Sequence, residues 1–145
     1  MSESAAAPHA RLIDHVAVIT HDADRTVAWY AQHLGLIPTH DEYVEAAGVR
    51  LAWLYPTAVE AGGEAAALQI LQPLRPGPAM THLQQRGEGL HHICFAVEDL
   101  EKSLLAAGQS PDDAFVGGYG LPCAFLEPGP GSTVIELVQR PVPAV

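Results

Sequence analysis

Four polar side chains set in apolar, strand-like runs are the residues of this sequence best suited to chemistry. They are His15, Gln69, His92 and Glu136. Two imidazoles, an amide oxygen and a carboxylate suit a borderline-hard divalent metal such as Co, Ni, Mn, Zn or Fe. Octahedral coordination would leave positions open for water or a chelating substrate, which is typical of a catalytic site. We therefore predict one divalent metal ion as the cofactor.

Strand alternation favours a common interior location for these side chains. Residues at i and i+2 of a strand share a face, so His15 is predicted to share a face with Ile13, and His92 with Leu90. Each polar residue is then alone among apolar neighbours. A buried, unpaired carboxylate is costly, and a divalent cation is one partner that removes this cost. Two alternatives to a metal site stay open. The histidines could be ordinary core residues, or all four side chains could lie on the solvent face of the sheet.

An internal repeat relates the four residues in pairs. Two pairs of similar strands carry it, residues 12–18 with 89–95 and residues 67–73 with 134–141. In each half an aspartate suited to capping a helix follows the histidine by seven residues, Asp22 in the first half and Asp99 in the second. Further strand candidates lie between the first and last strand of each half, at residues 49–55 and 123–126. We interpret each half as β-α-β-β-β, which makes His15 equivalent to His92 and Gln69 equivalent to Glu136.

The repeat predicts an α+β fold of two βαβββ modules in a single domain. Residues 1–10 are expected to form a disordered tail, 11–74 the first module, 75–89 a linker with a short helix around residues 80–85, and 90–141 the second module. One module alone would leave a sheet face exposed, whereas two modules side by side bury it.

Composition narrows the class of protein. Lys and Arg number 7 against 17 Asp and Glu, a formal charge of -10 that disfavours nucleic acid and anionic membranes as partners. No apolar run approaches the roughly 18 residues of a membrane span. The N-terminus lacks the basic start of a secretory signal. The two cysteines are too few for a disulfide framework, and Cys94 is expected to be a small buried residue. Together these features favour a cytoplasmic protein. Trp29 and Trp53 are expected to pack in the core.

The chain resembles the vicinal oxygen chelate (glyoxalase/bleomycin-resistance) superfamily over nearly its whole length, and within it the methylmalonyl-CoA epimerases. The stretches that carry the resemblance are residues 13–18, 29–30, 34–36, 68–74, 86–93, 124–126 and 135–138.

The resemblance implies a cup-shaped mixed sheet around the metal, a homodimer, and the same four ligands. It implies an epimerase or isomerase that acts on an acyl-CoA or a similar enolisable acid through a metal-stabilised enolate. One group takes the α-proton and another returns a proton on the opposite face. His91 is expected to point outward and not to be a ligand.

The chain departs from the epimerase pattern at the position of the catalytic glutamate. Counted without gaps from His15, that position is Ala46, and the nearest carboxylate is Glu45. A slip of one residue turns a strand side chain to the other face, so Glu45 could serve only if a bulge re-aims it. Glu136 is the other candidate proton carrier, and the hairpin at 56–66 is longer than in the epimerases. A lactoylglutathione-lyase-like enzyme, a dioxygenase and a non-catalytic small-molecule binder remain alternatives.

Overall fold

Alternating apolar residues and aspartate caps produce the same order of elements twice. The computed structural model describes residues 10–56 and 63–141. Its strands are β1 (Leu12–Ile19), β2 (Ile37–Val44), β3 (Val49–Tyr55), β4 (Ala67–Pro73), β5 (Gly89–Val97), β6 (Phe115–Val116), β7 (Pro122–Phe125) and β8 (Ile135–Gln139). Its helices are α1 (Ala23–Leu34), α2 (Pro78–Arg86) and α3 (Leu100–Ala106). The predicted α+β fold of two βαβββ units is confirmed, with α2 between them.

All these strands form one curled mixed sheet in the order β2-β3-β4-β1-β5-β8-β7-β6. Strands β1 and β5, which carry the two histidines, pair antiparallel at its centre. Each of them also pairs with the last strand of its own module, β1 with β4 and β5 with β8, in both cases parallel. This arrangement brings all four predicted ligand residues onto the four central strands.

Both predicted helix caps are confirmed. The Asp22 side chain accepts a hydrogen bond from the N–H of Arg25 at 3.1 Å, and that of Asp99 from the N–H of Lys102 at 2.9 Å. Such caps satisfy N–H groups that the first helical turn leaves unpaired. The caps fix where each helix leaves the sheet.

Strand β3 is buried on both faces. Ala52 and Leu54 pack under α1, whereas Leu51, Trp53 and Tyr55 belong to the apolar cluster of the opposite, concave face. Leu54 has no exposed surface, and full burial of such a side chain contributes about 1.5–3 kcal/mol. The concave face is therefore an apolar wall around the polar side chains described below.

Several details differ from the sequence-based expectations. The linker helix, expected at 80–85, extends from Pro78 to Arg86. The side chain of Trp29, expected in the core, is half exposed and stacks on His33. Residues 1–9 of the predicted tail and 57–62 of the predicted hairpin lie outside the described residues, as do 142–145. In the described part of the chain, no helix has the length and apolar character needed to cross a membrane.

Candidate metal centre

Three of the four predicted ligand side chains meet at one buried point. Oε1 of Glu136 lies 3.2 Å from Nε2 of His15 and 3.0 Å from Nε2 of His92. The two Nε2 atoms are 3.1 Å apart. The exposed fraction of each residue is 8% or less. Two nitrogen donors and one oxygen donor are thus close enough to share a single ion.

Equivalent registers in the two modules position these residues. Gln69 pairs with Ala17 in the β1–β4 ladder, and Glu136 pairs with Cys94 in the β5–β8 ladder. Each of these ladder partners stands two residues after the histidine of its module. Ala17 and Cys94 are both fully buried and small, so they leave room for the polar side chains beside them. The sequence expectation that Cys94 is a small buried residue is confirmed.

Gln69 lies on the same cavity wall with an unsatisfied polar atom. Its exposed fraction is 3%, and its Oε1 has no hydrogen-bond partner among the described residues. A buried oxygen without a partner is costly, so it indicates a group that would complete the site. A divalent cation fits this oxygen together with the imidazole nitrogens and the carboxylate, and the residues present therefore suit such an ion.

A β-bulge stands directly before each histidine. In the β1–β5 ladder, Ile13 pairs with Phe95 and His15 with Cys94, so Asp14 is the extra residue on β1. At the other end, Ala17 pairs with His92 and Val18 with Leu90. The extra residue on β5 is therefore His91. The two bulges are related by the same repeat that relates the histidines.

The bulges turn two additional side chains toward the site. Oδ2 of Asp14 is 2.7 Å from Nδ1 of His15, and Nδ1 of His91 is 2.7 Å from Nδ1 of His92. Asp14 and His91 also line the central cavity. The expectation that His91 points outward was wrong, because a bulge interrupts the alternation on which it rested.

The bulges also explain why the predicted faces of Ile13 and Leu90 were wrong. Their exposed fractions are 42% and 75%, so neither shares the buried face of the histidine that follows it. On the other side of each bulge, alternation holds, since Ala17 and Cys94 are fully buried. Sequence reasoning also missed Arg140, whose Nε donates to Oδ1 of Asp14 at 2.6 Å. The only available signal was an aspartate directly before His15 in a strand-like run.

The pKa values of the cluster reflect shared hydrogen bonds. Burial opposes ionisation of Glu136, but hydrogen bonds from His15 and His92 outweigh it and hold the pKa of this carboxyl far below its usual range. Burial also opposes charge on His15, yet hydrogen bonds to Asp14 and Glu136 raise its pKa above the ordinary histidine value. Burial lowers the pKa of His92. Burial, assisted by the nearby charge of His92, lowers the pKa of His91 to about 3.

A cavity of about 990 Å³ opens over the cluster. Most of its wall is apolar, with Leu51, Trp53 and Leu71 from the first module and Phe115 and Val138 from the second.

Polar lining residues outside the cluster include His82, Arg75 and Tyr119. Apart from Asp14 and Glu136, no carboxylate among the described residues lines this space. The cavity therefore suits a ligand with an apolar body and a few metal-binding oxygens.

Glu45 lies outside this cavity. Its side chain is 85% exposed in the turn between β2 and β3, where its carboxylate accepts a hydrogen bond from Arg75. The neighbouring Ala46 and Ala47 line the cavity instead. The structure thus brings together His15, His92 and Glu136, with Gln69 on the same wall, and it does not bring Glu45 to them.

Comparisons with known proteins agree with this architecture. The family model described as "Glyoxalase/Bleomycin resistance protein/Dioxygenase superfamily" matches residues 14–110, and the chain belongs to that superfamily. The human mitochondrial methylmalonyl-CoA epimerase is 26% identical over 135 residues, which cover 88% of this chain and 73% of that protein.

Two solved structures extend the similarity to the whole fold. The methylmalonyl-CoA epimerase of Mycobacterium tuberculosis has a TM-score of 0.80 and 27% identity, covering 100% of this chain and 94% of that chain. A variant of the Streptomyces coelicolor epimerase, in complex with 2-nitronate-propionyl-CoA, has a TM-score of 0.79 and 33% identity, covering 90% and 95%. The chain is thus similar to methylmalonyl-CoA epimerases over nearly its full length.

Proposed function

We infer that the protein is a divalent-metal-dependent epimerase or isomerase of an acyl-CoA or a similar enolisable acid. Its proposed metal ligands are His15, Gln69, His92 and Glu136. The observation that carries this proposal is the buried, unpartnered Oε1 of Gln69 on the wall that also presents three converging donors. Full-length similarity to epimerases supports the reaction class. A cytoplasmic homodimer is the accompanying proposal, and it rests on the family resemblance and the composition.

The chemistry requires removal of a proton from the carbon next to a thioester and return of a proton to the opposite face of the same carbon. A bound divalent ion supplies Lewis acidity, which makes that proton easier to remove. Glu136 lies in the cluster and on the cavity wall, and it is the carboxylate that we assign to proton transfer. Trp53 and Leu71 keep water away from the acyl group, because they form the apolar wall beside the cluster. Glu45 could take part only if the turn that holds it rearranged.

The test is isotope exchange in heavy water. Protein loaded with Co, Ni, Mn, Zn or Fe is incubated with methylmalonyl-CoA, and α-deuterium is measured by mass spectrometry. We expect exchange with at least one metal and none after chelation. Glu45→Gln, which removes the carboxylate outside the cavity, tests the other candidate proton carrier; we expect an unchanged exchange rate, and a large loss would assign the proton transfer to Glu45. Absence of exchange in protein shown to hold its metal would exclude the epimerase assignment.

Non-catalytic binding is the second candidate function. The observation that favours it is the scarcity of carboxylates on the described part of the cavity wall, where Asp14 is already held by His15 and Arg140. An epimerase needs a second group on the opposite face of its substrate. Saturable quenching of Trp53 fluorescence by an acyl-CoA, with no deuterium uptake, would identify a binding protein.

A further inference from the structure

The two bulge residues occupy equivalent places behind the two histidines. Asp14 and His91 are each the extra residue of a β-bulge, and each contacts Nδ1 of the histidine that follows it at 2.7 Å. In both cases the contact is to the ring nitrogen opposite the one that faces Glu136. The same relation therefore occurs twice, although the residue type differs between the modules.

We propose that Asp14 and His91 are positioning residues that hold His15 and His92 in the Nδ1–H tautomer, so that both Nε2 lone pairs face the metal. This inference rests on the proposed metal site. A hydrogen bond at one ring nitrogen determines which nitrogen is free to bind a metal, and it also orients the ring. The bulges are needed because ordinary alternation would place these two side chains on the far side of the sheet.

The carboxylate of Asp14 is itself held in place. Arg140 donates to its Oδ1, which leaves Oδ2 to accept from Nδ1–H of His15. Arg140 also donates to the carbonyl oxygen of Gly63, so the network reaches the chain just before β4. Asp14 is thus an anionic acceptor with a fixed direction.

The partner of His92 is neutral rather than anionic. The two Nδ1 atoms are 2.7 Å apart, a hydrogen-bond distance at which one nitrogen must donate and the other must accept, so a neutral His91 can accept the Nδ1–H of His92. Its ring is also enclosed by His82 of α2, at a centroid distance of 4.5 Å, and by Phe125 at 6.4 Å. A charged acceptor makes the stronger hydrogen bond. Loss of Asp14 should therefore affect the centre more than loss of His91.

The first measurement is zinc affinity, obtained by competition with a chromophoric chelator. For His91→Phe, which removes the acceptor, we expect a loss within the roughly 10- to 100-fold range typical of such partners. His91→Asn retains an acceptor oxygen and should recover most of the affinity. Asp14→Asn retains the shape but loses the charge, and it should weaken binding further than His91→Asn does. His33→Phe, on the exposed side of α1, is the control and should bind zinc like the unmodified protein.

The second measurement separates positioning from a purely structural role. Long-range ¹⁵N–¹H NMR spectra of the zinc-loaded protein should report Nδ1–H for both His15 and His92. In His91→Phe the His92 signals should broaden or shift to a mixture of ring states, while those of His15 stay unchanged. Thermal unfolding without metal identifies any variant that fails to fold, and in that case the Asn variant at the same position supplies the test.

The outcomes for the two proposals can be distinguished. If the unmodified protein binds no divalent metal, the proposed metal site fails and this inference fails with it. If the unmodified protein binds zinc and the His91 and Asp14 variants bind it within twofold of that affinity, only the positioning roles are overturned. Protonation of Nε2 in zinc-loaded His15 or His92 would overturn them as well.

Discussion

The two modules share a backbone pattern but place their charges differently. In the first module the carboxylate is Asp14, behind the histidine, and the residue facing the cluster from the last strand is the neutral Gln69. In the second module the carboxylate is Glu136, at the cluster itself, and the neutral His91 stands behind the histidine. Among the residues that the structure describes, each module thus supplies one carboxylate to the central cavity, Asp14 behind a histidine and Glu136 at the cluster.

Two aromatic residues occupy equivalent positions in the two modules but differ in burial. Trp53 pairs with Gln69 in the ladder, and Phe125 pairs with Glu136. Each ring meets the histidine of its own module nearly at a right angle, at 4.9 Å for Trp53 and 5.3 Å for Phe125. The exposed fractions, however, are 3% and 36%. The two modules therefore share their strand pairing and the geometry of these contacts, whereas they differ in where the charges lie and in how deeply the aromatic rings are buried.

The largest expected effect comes from moving the charge between the modules. Glu136→Gln removes the carboxylate that we propose as a metal ligand, and we expect zinc affinity to fall by more than about 100-fold. Loss of a residue that only supports a ligand typically costs roughly 10- to 100-fold. Adding Gln69→Glu restores a carboxylate at the equivalent position and should recover part of the loss. Isothermal titration calorimetry measures both proteins. Equal affinities for the single and double variants would contradict the equivalence of Gln69 and Glu136.

The aromatic residues should differ strongly in their contribution to stability. Trp53→Ala removes a buried ring whose Nε1 donates to Glu42 at 3.2 Å, and a loss of about 3–5 kcal/mol in the free energy of unfolding is expected. Phe125→Ala should cost less, since this ring is more exposed. Urea denaturation of the metal-free proteins provides the comparison. Equal losses would show that burial does not distinguish these positions.

The sequence predicted the architecture well because its signals are local and repeated. The caps at Asp22 and Asp99 and the paired apolar strands each act over a few residues, and the repeat supplied the long-range relation between them. Strand β2 could not be located from the sequence, since Pro38 and several polar residues obscure its pattern. Its existence was implied only by the β-α-β-β-β order.

The surroundings of the site were less accessible to sequence reasoning. A β-bulge depends on pairing between distant strands, so nothing local to Asp14 or His91 indicated that alternation fails there. The consequences were the wrong orientation for His91 and the wrong faces for Ile13 and Leu90. The prediction that His15 and His92 lie close together agrees with the structure, because each histidine belongs to the regularly alternating part of its strand, after the bulge.

A loop of the second module packs directly on the aromatic ring of the first. A Cβ added at Gly118 would lie 2.5 Å from Cζ2 of Trp53, so Gly118→Ala forces one of the two to move. Overpacking of this kind costs about 1–3 kcal/mol. Gly129→Ala, where an added Cβ meets nothing within 4 Å, is the matched control. Similar urea midpoints for the two variants would contradict a tight contact between the modules.

The smallest expected effect concerns the ion pairs that join strands β2 and β3 to each other and to α1. Arg50 donates to Asp41 on β2 and to Asp24 on α1. These groups are partly exposed, so Arg50→Gln should cost at most about 1 kcal/mol at neutral pH. Arg11→Gln, which removes a more exposed pair with Glu98, serves as the control and should cost less.

The difference in the free energy of unfolding between Arg50→Gln and the unmodified protein should depend on pH in a definite direction. The hydrogen bond from Arg50 lowers the pKa of Asp41 in the folded protein. A carboxyl with a lowered folded pKa stabilises the fold above its unfolded pKa of about 4, and that contribution disappears as the pH falls through the folded value. Urea denaturation at several pH values should therefore show the largest gap between Arg50→Gln and the unmodified protein at neutral pH, closing in acid. A gap that widened below pH ~4 would exclude Asp41 as the responsible partner.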